Sequence, residues 1–360
     1  IKSRNDLSHV KLHVCAADQL QNLALGSFDL IVINSVVQYF PSTNYLINCI
    51  KQAVQLLDVS GQLFIGDVRD LRTLRAFHGS VLKFQAEPNM KIRAFKDKLS
   101  LTVLDDEELV IAPEFFTSLR CCVPEIKRAR ALLKQGQSHN ELNCFRYDVI
   151  LEIEKQEAKN EAKNIIWHPW SGVNAITDLM IRHERAGFGI KQVPNRRLTM
   201  INQFLAWIEL QSDNAQINEF ISSEIDDADP ADMIDLAAKH RYEVELLWNQ
   251  SDQEGGFDAI FYPSGSIRPC MAIASLPNGL DQSKLSIFAN EPMHKDLRLR
   301  AQPLLLQHLL AFLPSYMVPS NFIFLEKFPL TLNLKIDKKN LPRPCYLRLD
   351  QSSYVAPSNE

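Results

Sequence analysis

The sequence predicts an α/β fold built on a parallel, doubly wound sheet, and three observations lead to it. Short apolar runs of strand length alternate with stretches of helical periodicity, in the rhythm strand, helix, strand. The residues that follow those runs are polar, as they are at the ligand-binding edge of an open parallel sheet. With 360 residues, 46% of them hydrophobic and 23% charged, the chain has apolar material for two or three domains.

Val10, Leu12 and Val14 alternate with Lys11 and His13, the period of a strand, and Ala16, Ala17 and Asp18 stand at its end. A helix-like stretch over 19–24 and a Gly26-Ser27 break follow. Residues 28–33 are apolar except for Asp29, the pattern of a strand buried on both faces, and 34–41 form the loop at its carboxyl end. Leu46, Ile47, Ile50, Val54 and Leu57 recur at helical spacing, Ser60-Gly61 stops that helix, and 63–66 is the next apolar strand. Residues 93–108 read as a charged helical excursion and 145–153 as an alternating strand. The Lys/Glu/Ala-rich 154–164 reads as a solvated helix or linker.

A second α/β piece spans 165–261, with a helix near 175–186 and an acidic connector over 224–235. Tyr262-Pro263-Ser264-Gly265 is a turn and a candidate boundary. Residues 296–312 predict a Leu-rich amphipathic helix closed by Pro314, and 346–360 a polar tail. No internal repeat is visible.

The 43 acidic and 39 basic residues are spread along the chain for a formal net charge of -4, which argues against nucleic acid as a partner. Cysteines 15, 49, 121, 122, 144, 270 and 345 include no CxxC pair and no metal-like spacing to histidine, so reduced thiols in a cytoplasmic setting are expected, and no metal site. His9 and His13 are four apart but lie in a strand pattern. No apolar run approaches the about 18 residues that a membrane span needs. The start at Ile1, without Met or a signal pattern, leads us to expect that the chain begins within a longer protein.

Three strand ends offer chemistry: Asp18, Asn34 with Tyr39, and Asp67 with Arg69. Each has a structural alternative. Asp18 reads by itself as a helix N-cap, Tyr39 and Phe40 as core aromatics, and Asp67 with Arg69 as a mutual ion pair. His78 is a candidate base or a satisfied, partly buried histidine.

At these residues the sequence resembles the methyltransferase domains embedded in nonribosomal peptide synthetases. The resemblance lies in Asn34-Ser35-Val36-Val37-Gln38-Tyr39-Phe40-Pro41, in Gly66-Asp67-Val68-Arg69 and in Asn140-Glu141-Leu142-Asn143-Cys144-Phe145-Arg146-Tyr147-Asp148-Val149. A looser match joins Val244-Glu245-Leu246 to Gly256-Phe257-Asp258. It implies a Rossmann-like class I sheet that binds S-adenosylmethionine, with Asp18 and the backbone at Ala17 on the adenine and Asn34 and Ser35 near the sulfonium. It implies Tyr39 as a wall of the acceptor pocket. Asn140, Glu141 and Tyr147 are implied to orient the acceptor amine or to hold the strand that carries them, with Asp67, Arg69 and His78 as further substrate-orienting candidates. The family's glycine-rich first motif and ribose-binding acid are missing. We expect N-terminal truncation, and poor cofactor binding by the isolated chain.

Leu313-Pro314-Ser315-Tyr316-Met317-Val318-Pro319-Ser320 and Phe328-Pro329-Leu330-Thr331-Leu332-Asn333-Leu334-Lys335-Ile336-Asp337-Lys338-Lys339 resemble the closing motifs of adenylation domains. This implies a small α+β subdomain in which Lys335 stabilises the carboxylate and phosphate during adenylate formation, with ATP and magnesium. The family has Gly where Leu334 stands and Arg where Lys338 stands, so a residue adapted to positive φ is missing beside the lysine.

The expected domains are 1–155, a methyltransferase core without its first motif; 156–261, an accessory α/β part; 262–345, the adenylation subdomain; and 346–360, a linker to a carrier domain. The implied function is N-methylation of an aminoacyl thioester held by phosphopantetheine on a downstream peptidyl carrier domain. The large adenylation domain would lie upstream in the same polypeptide. The alternative is that only amino-acid adenylation works, with the methyltransferase region inactive or structural.

Overall fold

Alternation organises the centre of the sheet. In β4 (Arg146–Ile153) the side chains of Tyr147, Val149, Leu151 and Ile153 are buried while their neighbours are half-buried, so one face packs on a core and the other meets charge. The computed structural model describes residues 9–22, 26–154, 165–182, 186–249, 254–266, 280–319, 322–324, 328, 331, 335–338 and 341.

In chain order the elements are β1 (Phe28–Asn34), α1 (Thr43–Leu56), β2 (Leu57–Arg69), α2 (Leu74–Gln85), α3 (Ile92–Leu104), α4 (Glu114–Ser118), β3 (Ile126–Leu133), α5 (Glu141–Phe145) and β4. Then come β5 (Ile166–Pro169), α6 (Val173–Arg182), β6 (Phe188–Val193), α7 (Arg196–Leu210), α8 (Pro230–Lys239), β7 (Tyr242–Trp248), β8 (Phe257–Pro263) and α9 (His294–Phe312). Among the described residues the strands form one eight-stranded sheet in the order β1-β2-β4-β3-β7-β8-β6-β5. It runs without a break through both expected α/β pieces.

The α/β class holds, but the sheet is mixed. β1 and β2 are parallel, as are β5 and β6, while β2–β4, β3–β4, β3–β7, β7–β8 and β6–β8 are antiparallel. Nor is it covered by helices on both faces throughout. Opposite the main core, Arg128 pairs with Glu152 at 3.0 Å, and Arg130 bridges Glu152 at 3.2 Å and Glu245 at 3.0 Å, a cross-strand charge ladder on the half-buried face.

Several local expectations change. Residues 10–14 are not a strand: Leu12 and Val14 are exposed, and no described strand pairs with them. Of the helix expected over 19–24, the described residues form a 3-10 turn, Leu20–Asn22, and 23–24 lie outside them. β1, at the sheet's edge among the described residues, is not buried on both faces: Ile31 and Ile33 pack inward, while Leu30 and Val32, pointing to the opposite face, are more than half exposed. The acidic connector is partly helix, since Asp229 caps α8 and Pro230 occupies its first turn. α9 is not amphipathic: Leu297, Leu304, Leu305, Leu310 and Phe312 are exposed around its circumference, and Pro303 interrupts it. Residues 155–164 and the tail at 346–360 lie outside the described residues.

Helix α1 begins where Ser42 accepts a hydrogen bond from Tyr45 N, and buries Leu46, Ile47, Ile50 and Val54 against the sheet. The stretch after the 262–265 turn also joins this core. Leu285 is fully buried, and Asn290 ties the 108–110 loop by accepting from Val110 N and donating to Glu108 O, both at 2.8 Å. Among the described residues, no helix is long and apolar enough to cross a membrane.

Candidate functional site

Parallel pairing of β1 with β2 places Asn34 opposite Gly66, so the two carboxyl ends open side by side. A Cβ at residue 66 would stand 1.9 Å from Asn34 Oδ1, so glycine is what lets the Asn34 amide lie across β2. Ser35 and Asp67, one residue farther along each strand, both have positive φ, 57° and 61°. Non-glycine residues adopt that conformation at a cost of about 1 kcal/mol or more, and such strain collects at functional sites.

These residues form one polar cluster. Asn34 Nδ2 donates to Ser35 Oγ at 3.0 Å, and Ser35 Oγ donates to Asp67. Lys134 Nζ lies 2.5 Å from carboxylate oxygens of both Asp67 and Asp148. Burial pushes the Asp67 carboxyl up, but hydrogen bonds from Lys134 and Ser35 and the charges of Lys134 and Arg146 bring it below its ordinary value. Gln38, itself buried, donates to the Ser35 carbonyl at 3.0 Å, and its Oε1 has no hydrogen-bond partner among the described residues.

Beside α1, Tyr45 Oη donates to Asp18 Oδ1 at 3.1 Å and Gln52 donates to the Asp18 carbonyl, while Ala17 packs against the core. Tyr39 is 71% exposed, whereas Phe40 is buried edge-on to Tyr45. The aromatic-core alternative therefore holds for Phe40 only.

Asp67 and Arg69 do not pair with each other. Arg69 NH1 and NH2 each lie 2.8 Å from an oxygen of Asp106, and NH1 is 3.1 Å from Glu108. His78 Nε2 is 2.7 Å from Asp106 Oδ2. Against its burial, hydrogen bonds from His78 and Arg69 hold the Asp106 carboxyl well below the usual carboxylate range. Arg69, Phe77, His78, Asp106, Glu141 and Arg146 line a cleft of about 560 Å³.

The third motif divides its roles. Asn140 caps α5 by accepting from Asn143 N at 3.0 Å, and Glu141, exposed on the cleft, pairs with Arg146 at 2.5 Å. Tyr147 cannot orient a substrate from where it lies. It is fully buried and donates to the Ile111 carbonyl at 2.7 Å, so it holds the strand. Lys335 lies apart from this cluster in sequence; its N–H donates to Thr331 Oγ1 at 3.3 Å and its carbonyl accepts from Thr331 N at 2.7 Å. Leu334 lies outside the described residues.

Lys134 and Asp106 escaped the sequence reading. Neither stands in a motif: Lys134 follows β3, and Asp106 lies in an acidic run that reads as solvated surface.

No family model matches the chain. Chondramide synthase cmdD of Chondromyces crocatus is 34% identical over 367 residues, which cover 98% of this chain and 9% of that protein. The nonribosomal peptide synthetase penN of Penicillium thymicola is 29% identical over 358 residues, 93% of this chain and 13% of its own length. This chain is related to a region of nonribosomal peptide synthetases. Cyclosporin synthetase simA of Tolypocladium inflatum is similar too, 28% identical over 396 residues that cover 97% of the chain and 2% of the synthetase. The synthetase-related chain thus spans a small part of each relative, and the similarity runs through the sheet and onward to the Lys335 region.

Proposed function

We propose that the chain is the acceptor side of an S-adenosylmethionine-dependent N-methyltransferase within a nonribosomal peptide synthetase module, continuing into the lysine-bearing end of an adenylation domain. The observation that carries this reading is the paired strand end. Asn34, Ser35 and Asp67 meet there in one cluster, two of them in strained backbone conformations.

The residues fit the cofactor by their chemistry. The strand ends offer acceptors, namely the Asn34 and Gln38 amide oxygens and the Asp67 carboxylate, and the orphaned Gln38 Oε1 is buried just behind Ser35. That set suits a cationic sulfonium and an amine better than a polyphosphate. Asp18 and the Ala17 backbone would hold the adenine, and Asn34 and Ser35 the amino-acid end. S-adenosylmethionine supplies an electrophilic methyl group when bound. The chain's own task is to present a neutral amine and exclude water, with Tyr39 and Glu141 on the approach.

The amine belongs to an aminoacyl thioester on the phosphopantetheine of a downstream peptidyl carrier domain. Lys335 serves the earlier adenylation with ATP and magnesium, completed by the large adenylation domain upstream. The test supplies S-adenosylmethionine and the amino acid to the intact synthetase and examines the carrier by mass spectrometry. An N-methylated aminoacyl group, lost in Asn34→Ala but not in Tyr316→Phe, is the expected result. A loaded, unmethylated carrier would show that only the ligase works.

A further inference from the structure

We propose that His78 is the base that takes the proton from the acceptor's α-ammonium group, in the cleft between β2, α2, α3 and β4, and that Asp106 is the positioning residue that holds His78 for it. This rests on the reading of the chain as an amine methyltransferase.

The geometry sets the tautomer. Asp106, 5% exposed and gripped by Arg69, stays ionised and can only accept, so His78 Nε2 must donate to it across 2.7 Å. The lone pair then resides on Nδ1, which has no hydrogen-bond partner among the described residues. His78 is itself part of the cleft wall, with 12% of its side chain exposed.

Around the cleft the carboxylates outnumber the cations. Arg69 faces two carboxylates, Asp106 and Glu108, so that group of three remains negative beside the imidazole. Asp105 and Glu107 from the same loop and Glu141 from α5 add negative charge, against Lys98 of α3 and Arg146 of β4. A cleft of this balance draws in a cation, which suits an α-ammonium group. The cleft lies along the same strand as the Asn34–Asp67 cluster, since Arg69, two residues beyond Asp67 on β2, lines it opposite Arg146 of β4.

In the step itself the Nδ1 lone pair forms a new N–H bond while one N–H bond of the ammonium breaks. The freed electron pair stays on the amine nitrogen as the nucleophile. The imidazolium keeps its Nε2–H on Asp106 and later returns its other proton to water. An α-amino group has a reference pKa of about 7.7 to 8, so only about a tenth is neutral near pH 7, and an acidic cleft lowers that fraction further.

The test uses the intact synthetase with its carrier loaded. His78→Gln keeps an amide donor for Asp106 and removes the basic nitrogen. Methylation is expected to fall about tenfold to a hundredfold near pH 6.5, with the loss shrinking to about twofold near pH 9, where solution already supplies the neutral amine. Asp106→Asn should show the same convergence with pH. An equal loss at both pH values, or none, overturns the proposal.

A second readout does not depend on methylation. Diethylpyrocarbonate, which acylates a free imidazole nitrogen, should modify His78, and an aminoacyl pantetheine amide should protect it while its N-acetylated counterpart should not. Equal protection by both, or an unreactive His78, also overturns it. If the wild-type synthetase never methylates its carrier, the underlying reading fails with the proposal; if it methylates and His78→Gln matches it at every pH, only the proposal fails.

Discussion

Asn34 and Gly66 depend on each other through one missing methyl group, since the space a Cβ would fill is taken by the Asn34 amide. Asp106 makes the residue scale measurable. Its folded pKa is depressed, so its contribution to stability is present above the unfolded value of about 4 and is lost as pH falls toward the folded value. Asp106→Asn leaves the Arg69 guanidinium short of its bidentate partner, which costs about 3 kcal/mol near neutral pH for a buried pair. Denaturant titrations of wild type and variant should show that gap near pH 7, undiminished down to about pH 4 and narrowing only as the pH falls further.

Elements are fastened here by polar clamps as well as by apolar faces. Arg197 of α7 has a fully buried side chain that donates to the carbonyls of Lys134, Gly136 and Asn143 at 2.7 to 3.1 Å and pairs with Asp229, the cap of α8. It therefore fixes the chain from β3 to α5, with Lys134 at one end. Arg197→Met is expected to destabilise the protein by about 3 to 5 kcal/mol, because Asp229 is left without its main partner. Limited proteolysis should then find new cleavage between 134 and 143. Uncut variant protein with unchanged stability would contradict the clamp.

At the scale of the whole molecule, one sheet unites segments far apart in sequence, and residues 281–290 are built into its core. Leu285→Ala should cost about 2 to 5 kcal/mol, as for other fully buried leucines, read as a lower denaturation midpoint with the slope unchanged. A loss under about 0.5 kcal/mol would mean that this stretch is peripheral.

What the sequence determined by itself follows from local periodicity and from motif chemistry. The helical spacing over 44–57, the alternation over 146–153 and the polar residues after 33 and 66 were legible, because each depends on neighbours a few positions away. The tertiary structure decided what depends on distant pairing. β4 lies antiparallel beside β2, which makes the sheet mixed; and among the described residues β1 stands at the sheet's edge, while Val10 to Val14, although patterned as a strand, have no strand partner. The same holds in the site. Asp67 chose Lys134 and Arg69 chose Asp106, 67 and 37 positions away along the chain, and Tyr147 passed from candidate ligand to buried support. Periodicity reports which face of an element is apolar; only packing reports which charge meets which.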